Sequence, residues 1–365
     1  MRVRDVTAGG LAGVEVEAAG AYELLIELSV LTGERAAATL DPEPAAALAA
    51  ARGRASPGLR EALARVGDRS GEVWLHLLGL ATGTPAPRDA AALLAHLEAT
   101  DPLEVRRQVL GADVPAWRKY VDRAVILAAA EGDRAAGARL LAEPRYYAGS
   151  ARDALAVLLP LDPEETSRRL AEALRRWQEE SFAAREAAAV RTLAADAAAA
   201  RELAAAAPPS RLVELVTGGF AYEPEPECPR VLLVPHLAAR PWLLLCQHRD
   251  TRLICYPARR PGQERRAAAA EGLLRLGRAL GDERRVGILA ALAAGPRDLD
   301  ELAAAVGLAR STVHHHLGLL RAAGLVGLRG NARRYRYALR RDAAAEAATL
   351  LADLTNTPAT AEEEP

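Results

Sequence analysis

Proline and glycine divide the stretch from Tyr22 to Ala207 into short segments rich in alanine, leucine and arginine. These residue types have high helix propensity, so each segment between two breaks is expected to form a helix. The breaks fall at Asp41-Pro42, Ser56–Gly58, Gly83–Pro87, Asp101-Pro102, Glu143-Pro144 and Pro160. After the last break, a capping acid and a proline at 162–163 start one long helix, which ends before Pro208-Pro209. The sequence therefore predicts a helical N-terminal domain over residues 1–207, with one short strand at Val14–Glu17.

Size and composition exclude several classes of protein. With 365 residues, 50% hydrophobic and 26% charged, the chain is long enough for two or three cores. No uncharged apolar run approaches the roughly 20 residues of a membrane-spanning helix, and the first residues lead into no signal-peptide core. Three cysteines without Cys-x-x-Cys spacing indicate neither a disulfide framework nor a zinc knuckle. A cytoplasmic protein without membrane contact is expected.

Strand-forming residues return in the middle of the chain, at 208–262. Trp242–Cys246 and Thr251–Tyr256 flank a short polar turn, a pattern typical of a β-hairpin. With a two-residue turn at Arg249-Asp250, Cys246 and Cys255 lie on one face but diagonally, about 7 Å or more apart. We expect packed, reduced thiols, with a thiol switch as the alternative. A small α/β middle segment at 208–262 makes the fold class mainly α with a small β component.

Residues 265–341 follow the order helix, helix, turn, helix, hairpin. Asp282 and Asp298 occupy N-cap positions at the starts of the first two helices. The sequence then predicts, in order, a turn at Gly307, a third helix at Arg310–Ala323, a hairpin at 325–339 that we call the wing, a C-terminal helix at 342–354 and a disordered acidic tail at 355–365.

Positive charge is concentrated in this C-terminal region. Glu271–Arg341 contains thirteen arginines and six acidic residues, a net charge of +7, whereas the whole chain carries −1. Between Gly324 and Arg341 there are six arginines and no acidic residue. A basic module attached to an acidic body indicates a nucleic-acid partner.

Several sequence blocks carry a resemblance to a known family. They are Ala279–Arg285, Leu302–Leu308, Ser311–Leu317, Leu319–Val326 and the basic hairpin. In this order and spacing they resemble the winged helix-turn-helix of ArsR-type bacterial repressors. The resemblance implies a transcriptional regulator that binds double-stranded DNA. Since one such helix reads only a few base pairs, a homodimer on an inverted-repeat operator is expected.

The third helix and the wing supply the candidate DNA-binding residues. A helical wheel places polar residues at the start of the helix opposite its apolar stripe, where they would reach base edges in the major groove. The wing arginines would follow the neighbouring backbone or minor groove. The candidates are Arg310, Ser311, Thr312, His314, His315, Arg329, Arg333, Arg334 and Arg336. The alternative is a protein-interaction or scaffold module that uses the winged helix for protein contacts.

Metal binding is not expected in this region. Consecutive histidines at 314–316 point about 100° apart on a helix and cannot all bind one ion, and His316 is expected to be packed and hydrogen-bonded. Metal-sensing ArsR-type proteins often carry Cys-x-Cys on the second helix, where this chain has Asp298 and Asp300. The residue before the third helix, commonly serine in the family, is Ala309, and a lost cap costs about 1 kcal/mol. We predict neither a metal nor a cofactor.

The N-terminal domain needs a purpose beyond DNA binding. A pocket between helices, lined by Tyr22, Trp74, Trp117 and Tyr146, is the candidate site for an unknown small-molecule effector. The alternatives are that these aromatic residues fill an alanine-rich core, or that the domain dimerises. No common nucleophile, phosphate-loop, zinc-protease or dinucleotide motif occurs, so no enzyme activity is predicted. An enzyme fused to a DNA reader remains the third function class.

Overall fold

A computed structural model describes residues 13–33, 40–115, 120–146, 152–259, 265–331 and 334–355. In these residues the protein is mainly helical with two small sheets, which confirms the fold class expected from the sequence. No helix in the described ranges is long and apolar enough to cross a membrane.

The chain forms two compact units that do not follow its linear order. The N-terminal unit comprises residues 1–209 and 224–259, and the C-terminal unit comprises residues 210–223 and 260–365. The segment at 208–262, which the sequence groups as one middle region, is divided between them. Its β-hairpin belongs to the N-terminal unit and most of its first sixteen residues to the C-terminal unit.

Several helices begin where the sequence provides a capping side chain. Ser56, Asp89, Asp101, Asp133 and Asp162 each accept a hydrogen bond from a backbone amide in the first turn that follows. The helices are α1 Gly20–Thr32, α2 Pro42–Arg54, α3 Pro57–Val66, α4 Glu72–His76, α5 Leu78–Gly83, α6 Ala90–Ala99, α7 Pro102–Val109, α8 Arg123–Ala130, α9 Arg134–Ala142, α10 Arg152–Leu158, α11 Pro163–Trp177, α12 Ala183–Ala206, α13 Pro209–Val216, α14 Arg265–Leu280, α15 Glu283–Ala293, α16 Leu299–Val306, α17 Arg310–Ala322 and α18 Ala343–Thr355. The strands are β1 Gly13–Val16, β2 Phe220–Tyr222, β3 Arg230–His236, β4 Leu244–His248, β5 Thr251–Pro257, β6 Val326–Asn331 and β7 Arg334–Leu339.

The long helix that the sequence predicts after Asp162 is interrupted. A π turn at Gln178–Phe182 separates α11 from α12. Residues five apart lie about 140° apart around an α-helix, whereas the wider π turn brings them to one side. Trp177 and Phe182 are both buried. The π turn therefore allows both aromatic side chains to reach the core.

The sheet of the N-terminal unit has the order β1-β3-β5-β4. β1, β3 and β5 are parallel, and β4 pairs antiparallel with β5. Leu244 lies opposite Cys255 and Cys246 opposite Leu253, which confirms the predicted hairpin and its register. Arg249 in the turn has φ +52°, in the left-handed region that two-residue hairpin turns use.

The C-terminal unit contains a three-stranded sheet of order β2-β6-β7, in which β2 is parallel to β6. α14 packs against α18, and Gly272 allows the close approach, since a Cβ there would lie 2.9 Å from Leu350 Cδ1. The sequence predicts the hairpin of β6 and β7 but not its third strand. Three residues are too short for an alternation pattern to indicate a strand.

Candidate nucleic-acid interface

Local signals build the helix-turn-helix formed by α16 and α17. Asp298 accepts a hydrogen bond from the Glu301 amide at 2.9 Å, and Glu301 accepts one from the Asp298 amide at 2.8 Å, which completes a capping box. Gly307 ends α16 with φ +66°, the turn that the sequence predicts. Ala309 precedes α17 and provides no side-chain cap. Both ends of α16 are therefore fixed, whereas the start of α17 has no side-chain cap.

α17 has a buried face and an exposed face. Val313, Leu317 and Leu320 are buried, as the sequence predicts. On the other side, Arg310, Ser311, His314 and His315 are exposed and Thr312 is half-buried. The structure thus places the five candidate residues of this helix at its N-terminal part, with most of their side chains open to solvent.

Arg310 is engaged in an ion pair at the start of α17. Its Nη1 lies 3.0 Å from the Asp300 carboxylate, and both side chains are about two-thirds exposed. Such a surface pair contributes about 0–1 kcal/mol. A phosphate group can therefore compete with Asp300 for Arg310.

His316 differs in part from expectation. Its side chain is buried, as expected. Neither ring nitrogen has a hydrogen-bond partner among the described residues, so the prediction that His316 is hydrogen-bonded is wrong. Burial lowers the pKa of His316, and the nearby Asp282 opposes that effect. The ring acts as a neutral packing group. Among the described residues, no three histidine, cysteine or acidic side chains are grouped to hold a metal ion.

The two described arginines in the middle of the wing differ in exposure: Arg329 is open to solvent, whereas Arg336 contacts the residues at the start of α16. These two residues lie opposite each other on β6 and β7. Arg329 is exposed, whereas half-buried Arg336 donates to the Pro296 carbonyl at 2.7 Å and lies 3.3 Å from the Glu301 carboxylate. Arg336 thereby fastens the wing to the start of α16, a role that sequence position alone does not reveal.

Two further candidates from the wing are only partly placed. Arg334 begins β7, with its backbone opposite Asn331. Arg333 lies outside the described residues.

Backbone pairing also fixes the wing. The Tyr337 amide donates to the Arg297 carbonyl at 2.7 Å, and the Arg297 amide donates to the Tyr337 carbonyl at 3.0 Å. On the inner face of the sheet, Phe220, Leu328 and Tyr337 form a buried row across three strands. The wing is therefore held at both its edges and on its inner face.

The three candidate effector residues that the structure describes do not meet in one pocket. Tyr22 and Trp74 are fully buried in the larger core of the N-terminal unit, and Tyr22 donates to Glu17 at 2.9 Å. Tyr146 is buried in a separate cluster and donates to the Leu110 carbonyl. Trp117 lies outside the described residues. The three described aromatic side chains act as core residues in this state.

Comparison with known proteins identifies the helix-turn-helix. Residues 282–327 match the family described as bacterial regulatory protein, arsR family. The HTH-type transcriptional regulator CmtR of Mycobacterium bovis and of two strains of Mycobacterium tuberculosis is 51% identical over 67 residues. That match covers 18% of this chain and 57% of each relative, so the chain spans little more than half the length of the curated relatives it matches. No solved structure matches.

The family match coincides with the elements described above. It begins at Asp282, the N-cap of α15, and ends in β6. It therefore includes the capping box, the Gly307 turn and the whole of α17. The C-terminal unit of this protein carries a helix-turn-helix of the ArsR family.

Proposed function

We propose that the protein is a DNA-binding transcriptional regulator of bacterial type. The observation that carries the proposal is the exposed polar start of α17 beside a basic wing, on a domain of the ArsR family. An α-helix fits the major groove, and residues of its first turns reach base edges. Ser311, Thr312 and His315 offer hydroxyl and imidazole groups that can hydrogen-bond to bases or phosphates.

The wing and the start of α17 supply the phosphate contacts. Arg310 on α17 and Arg329 on β6 are exposed, and Arg333 and Arg334 follow Arg329 closely in the sequence. Arg336 supports this surface by holding the wing against α16. Phosphate contacts fix the register of a protein on DNA, while base contacts provide the sequence preference. His314 is the remaining candidate, on the exposed flank of α17.

The active form in this proposal is a homodimer on an inverted repeat. Four large apolar side chains of the C-terminal unit are 44–58% exposed, and a second copy would cover them: Leu274, Leu280, Val286 and Leu351. Two-fold proteins read two-fold sites, with half-site centres about 10 base pairs or a multiple apart. Sedimentation of the protein alone and with its operator measures the oligomeric state. A monomer in both samples would disprove the homodimer.

An organic effector or a partner protein that binds the N-terminal unit controls DNA binding in this proposal. The positions where metal sensors of the family carry thiolates are occupied by Asp298 and Asp300. Asp298 caps α16, and Asp300 pairs with Arg310. Zinc, cadmium and arsenite are therefore expected to leave operator affinity unchanged. Stoichiometric zinc binding that abolished DNA binding would overturn this part of the proposal. The proposal places the regulator in the cytoplasm and gives it no catalytic activity.

Selection of bound fragments from the source genome tests the proposal directly. The full-length protein is mixed with fragmented DNA, and bound fragments are sequenced and then titrated at several salt concentrations. Arg333→Ala with Arg334→Ala should weaken all DNA similarly and reduce the log-log salt slope by up to about two units, since each phosphate contact contributes about 0.9. His315→Ala should instead reduce discrimination between fragments.

A protein-interaction module is the alternative function. In that case no fragment would be enriched over random DNA, and the double arginine variant would bind DNA with the same affinity and salt slope as the unaltered chain. Either result would reject the proposed docking of α17 and the wing on DNA.

A further inference from the structure

The sheet of the wing contains a strand from a distant part of the chain. β2 lies parallel to β6, with Phe220 opposite Leu328 and Tyr222 opposite Gly330. The residues that follow β2, 224–259, belong to the N-terminal unit. Residues 210–223, which form most of α13 and all of β2, therefore belong to the C-terminal unit, while the chain on both sides of them belongs to the N-terminal unit.

β2 is firmly packed where it lies. Phe220 and Tyr222 are 2% and 4% exposed. The ring centroid of Phe220 lies 5.9 Å from that of Tyr222 and 6.4 Å from that of Tyr335 on β7. The Glu223 amide, directly after β2, donates to the Gly330 carbonyl at 3.0 Å. Aromatic burial and backbone hydrogen bonding thus both hold this short segment against the wing.

Glycine makes the approach of β2 to β6 possible. Gly218 and Gly219 have φ +68° and +108°, and they turn the chain from α13 into β2. On the opposite strand, a Cβ at Gly327 would lie 3.3 Å from the Gly219 carbonyl oxygen. The local sequences on both sides of the contact are therefore suited to it.

The register connects β2 to the proposed DNA-binding face. Phe220 and Tyr222 lie on the buried face of the sheet, so Ala221 and its partner Arg329 lie on the other face. Arg329 is exposed there, beside its β7 partner Arg336. Because β2 occupies the outer edge of β6, the strand that carries Arg329 is hydrogen-bonded on both sides.

We propose that β2 acts as a strap between the N-terminal unit and the wing. The N-terminal unit controls whether β2 pairs with β6, and this pairing controls how rigid the wing is and how tightly it binds DNA. While β2 is paired, β6 is braced on both edges and Arg329 is held at a fixed place beside α17. Both ends of the α13–β2 segment continue directly into the N-terminal unit, and these connections help to hold β2 in register with β6. A conformational change in that unit that moves either end releases β2. The wing then loosens. This inference rests on the proposed DNA-binding function.

A matched pair of variants tests the bracing. In the full-length chain, Glu223→Pro removes the amide that donates to Gly330, whereas Glu223→Ala changes the same side chain and keeps the amide. Amide hydrogen exchange of the wing is measured without DNA, and affinity is then measured for a selected genomic fragment. We expect exchange in 326–330 to become about tenfold faster and the fragment to bind about five- to tenfold more weakly in the proline variant alone. Unchanged exchange in the wing would overturn the inference.

A second variant tests the strap itself. Four glycine and serine residues inserted between Glu223 and Pro224 slacken the connection and leave β2 intact. If the N-terminal unit holds β2 in place, wing exchange becomes faster here too. If exchange stays as in the unaltered chain, β2 acts alone and the regulatory part of the inference is wrong. Since exchange is measured without DNA, failure of the unaltered protein to bind any fragment would reject the proposed function and not the bracing.

Discussion

The two units of the protein differ in whether they bury acidic and basic side chains. Among the described residues, every fully buried acidic or basic side chain other than histidine lies in the N-terminal unit: Glu23, Glu27, Asp41, Asp68, Arg106, Asp196, Glu225 and Arg252. In the described part of the C-terminal unit the fully buried ionisable side chains are Tyr222, His316 and Tyr337. Burial also lowers the pKa of Arg321, whereas Arg310 and Arg329 are exposed. The eight fully buried side chains of the N-terminal unit are inward charges, and they lie in a unit that also has exposed ones. Arg310 and Arg329 of the C-terminal unit are outward charges.

This difference separates internal structure from surface function. Removing a charged group from water costs on the order of several kcal/mol per ion, unless hydrogen-bond or ion-pair partners replace the lost hydration. The inward charges have such partners: Arg252 lies 2.8 Å from Glu225, and Arg185 binds Glu27. In each of these two pairs, a charge of opposite sign replaces part of the lost hydration. The exposed arginines of the C-terminal unit remain accessible, as a DNA-binding surface requires.

The largest expected effect is the loss of a buried arginine from the N-terminal unit. Arg106 is 1% exposed and donates to the backbone carbonyls of Ala129, Leu159 and Leu161. Arg106→Ala leaves these carbonyls without that donor, and we expect the free energy of unfolding to fall by about 3–5 kcal/mol. Urea unfolding followed by circular dichroism measures this.

The neighbouring arginine is the matched control for this substitution. Arg107 makes a partly exposed pair with Glu131 at 3.0 Å, so Arg107→Ala should cost less than about 1 kcal/mol. Equal losses in the two variants would remove the distinction between inward and outward charges.

A pH dependence of stability should follow from Glu23. Burial, reinforced by the charge of Glu27, raises the pKa of Glu23 to about 8, although the Leu237 and Ala238 amides donate to it. Because the folded pKa lies above the ordinary value of 4.5, the contribution of this group to stability is full below about pH 4.5. It is lost as the pH rises toward and through about 8.

Substitution isolates this contribution. Between pH 6 and 9, the unfolding free energy of the unaltered chain should fall more steeply than that of Glu23→Gln, by about 1–3 kcal/mol in total. The exposed Glu61→Gln on α3 is the control and should keep the slope of the unaltered chain. Identical slopes in all three proteins would show that Glu23 does not titrate in this range.

A smaller effect is expected for one arginine of the wing. Arg329→Ala should weaken binding to a selected operator about three- to tenfold at low salt and reduce the log-log salt slope by about 0.9. Arg168, on the surface of the N-terminal unit, provides the same substitution without a proposed phosphate contact. Fluorescence anisotropy at four salt concentrations measures both variants. Equal effects would mean that total charge, and not the position of the arginine, determines affinity.

The smallest effect is expected at the start of α17. Asp300→Asn frees Arg310 from its exposed ion pair, so we expect DNA affinity to increase about two- to threefold and stability to change by less than about 0.5 kcal/mol. Glu283→Gln also removes one negative charge from the C-terminal unit, at the start of α15, and should have a smaller effect. Weaker binding by the Asn variant would show that Asp300 positions Arg310 for DNA and does not compete with it.

The sequence predicts those features that local chemistry determines. Asp282 and Asp298 mark helix starts, Gly307 marks a left-handed turn, and the Arg249-Asp250 turn fixes the register of the hairpin. Each signal acts within a few residues, so it can be identified without tertiary structure. The exposed and buried faces of α17 follow from helical periodicity in the same way.

Features that depend on distant residues are not visible in the sequence. β2 finds its partner more than one hundred residues later, and Arg336 is held by Pro296 and Glu301 from another element. Arg106, in the sequence PLEVRRQV of α7, looks like an ordinary surface residue of a helix, and nothing local marks the other inward charges of the N-terminal unit. Local pattern cannot indicate them, because their partners come from other helices and loops.

The parallel pairing of β2 with β6 also has a consequence for biosynthesis. Phe220–Tyr222 leaves the ribosome before the hundred or so residues that precede Leu328, which at about 5–20 residues per second is a delay of roughly 5–20 seconds. During this time the apolar strand β2 has no partner strand. The sheet of the C-terminal unit cannot form until β6 has been synthesised, so β2 is exposed to aggregation and to chaperones during this interval. Expression of a shortened chain that starts after residue 260 would give a wing with one open edge.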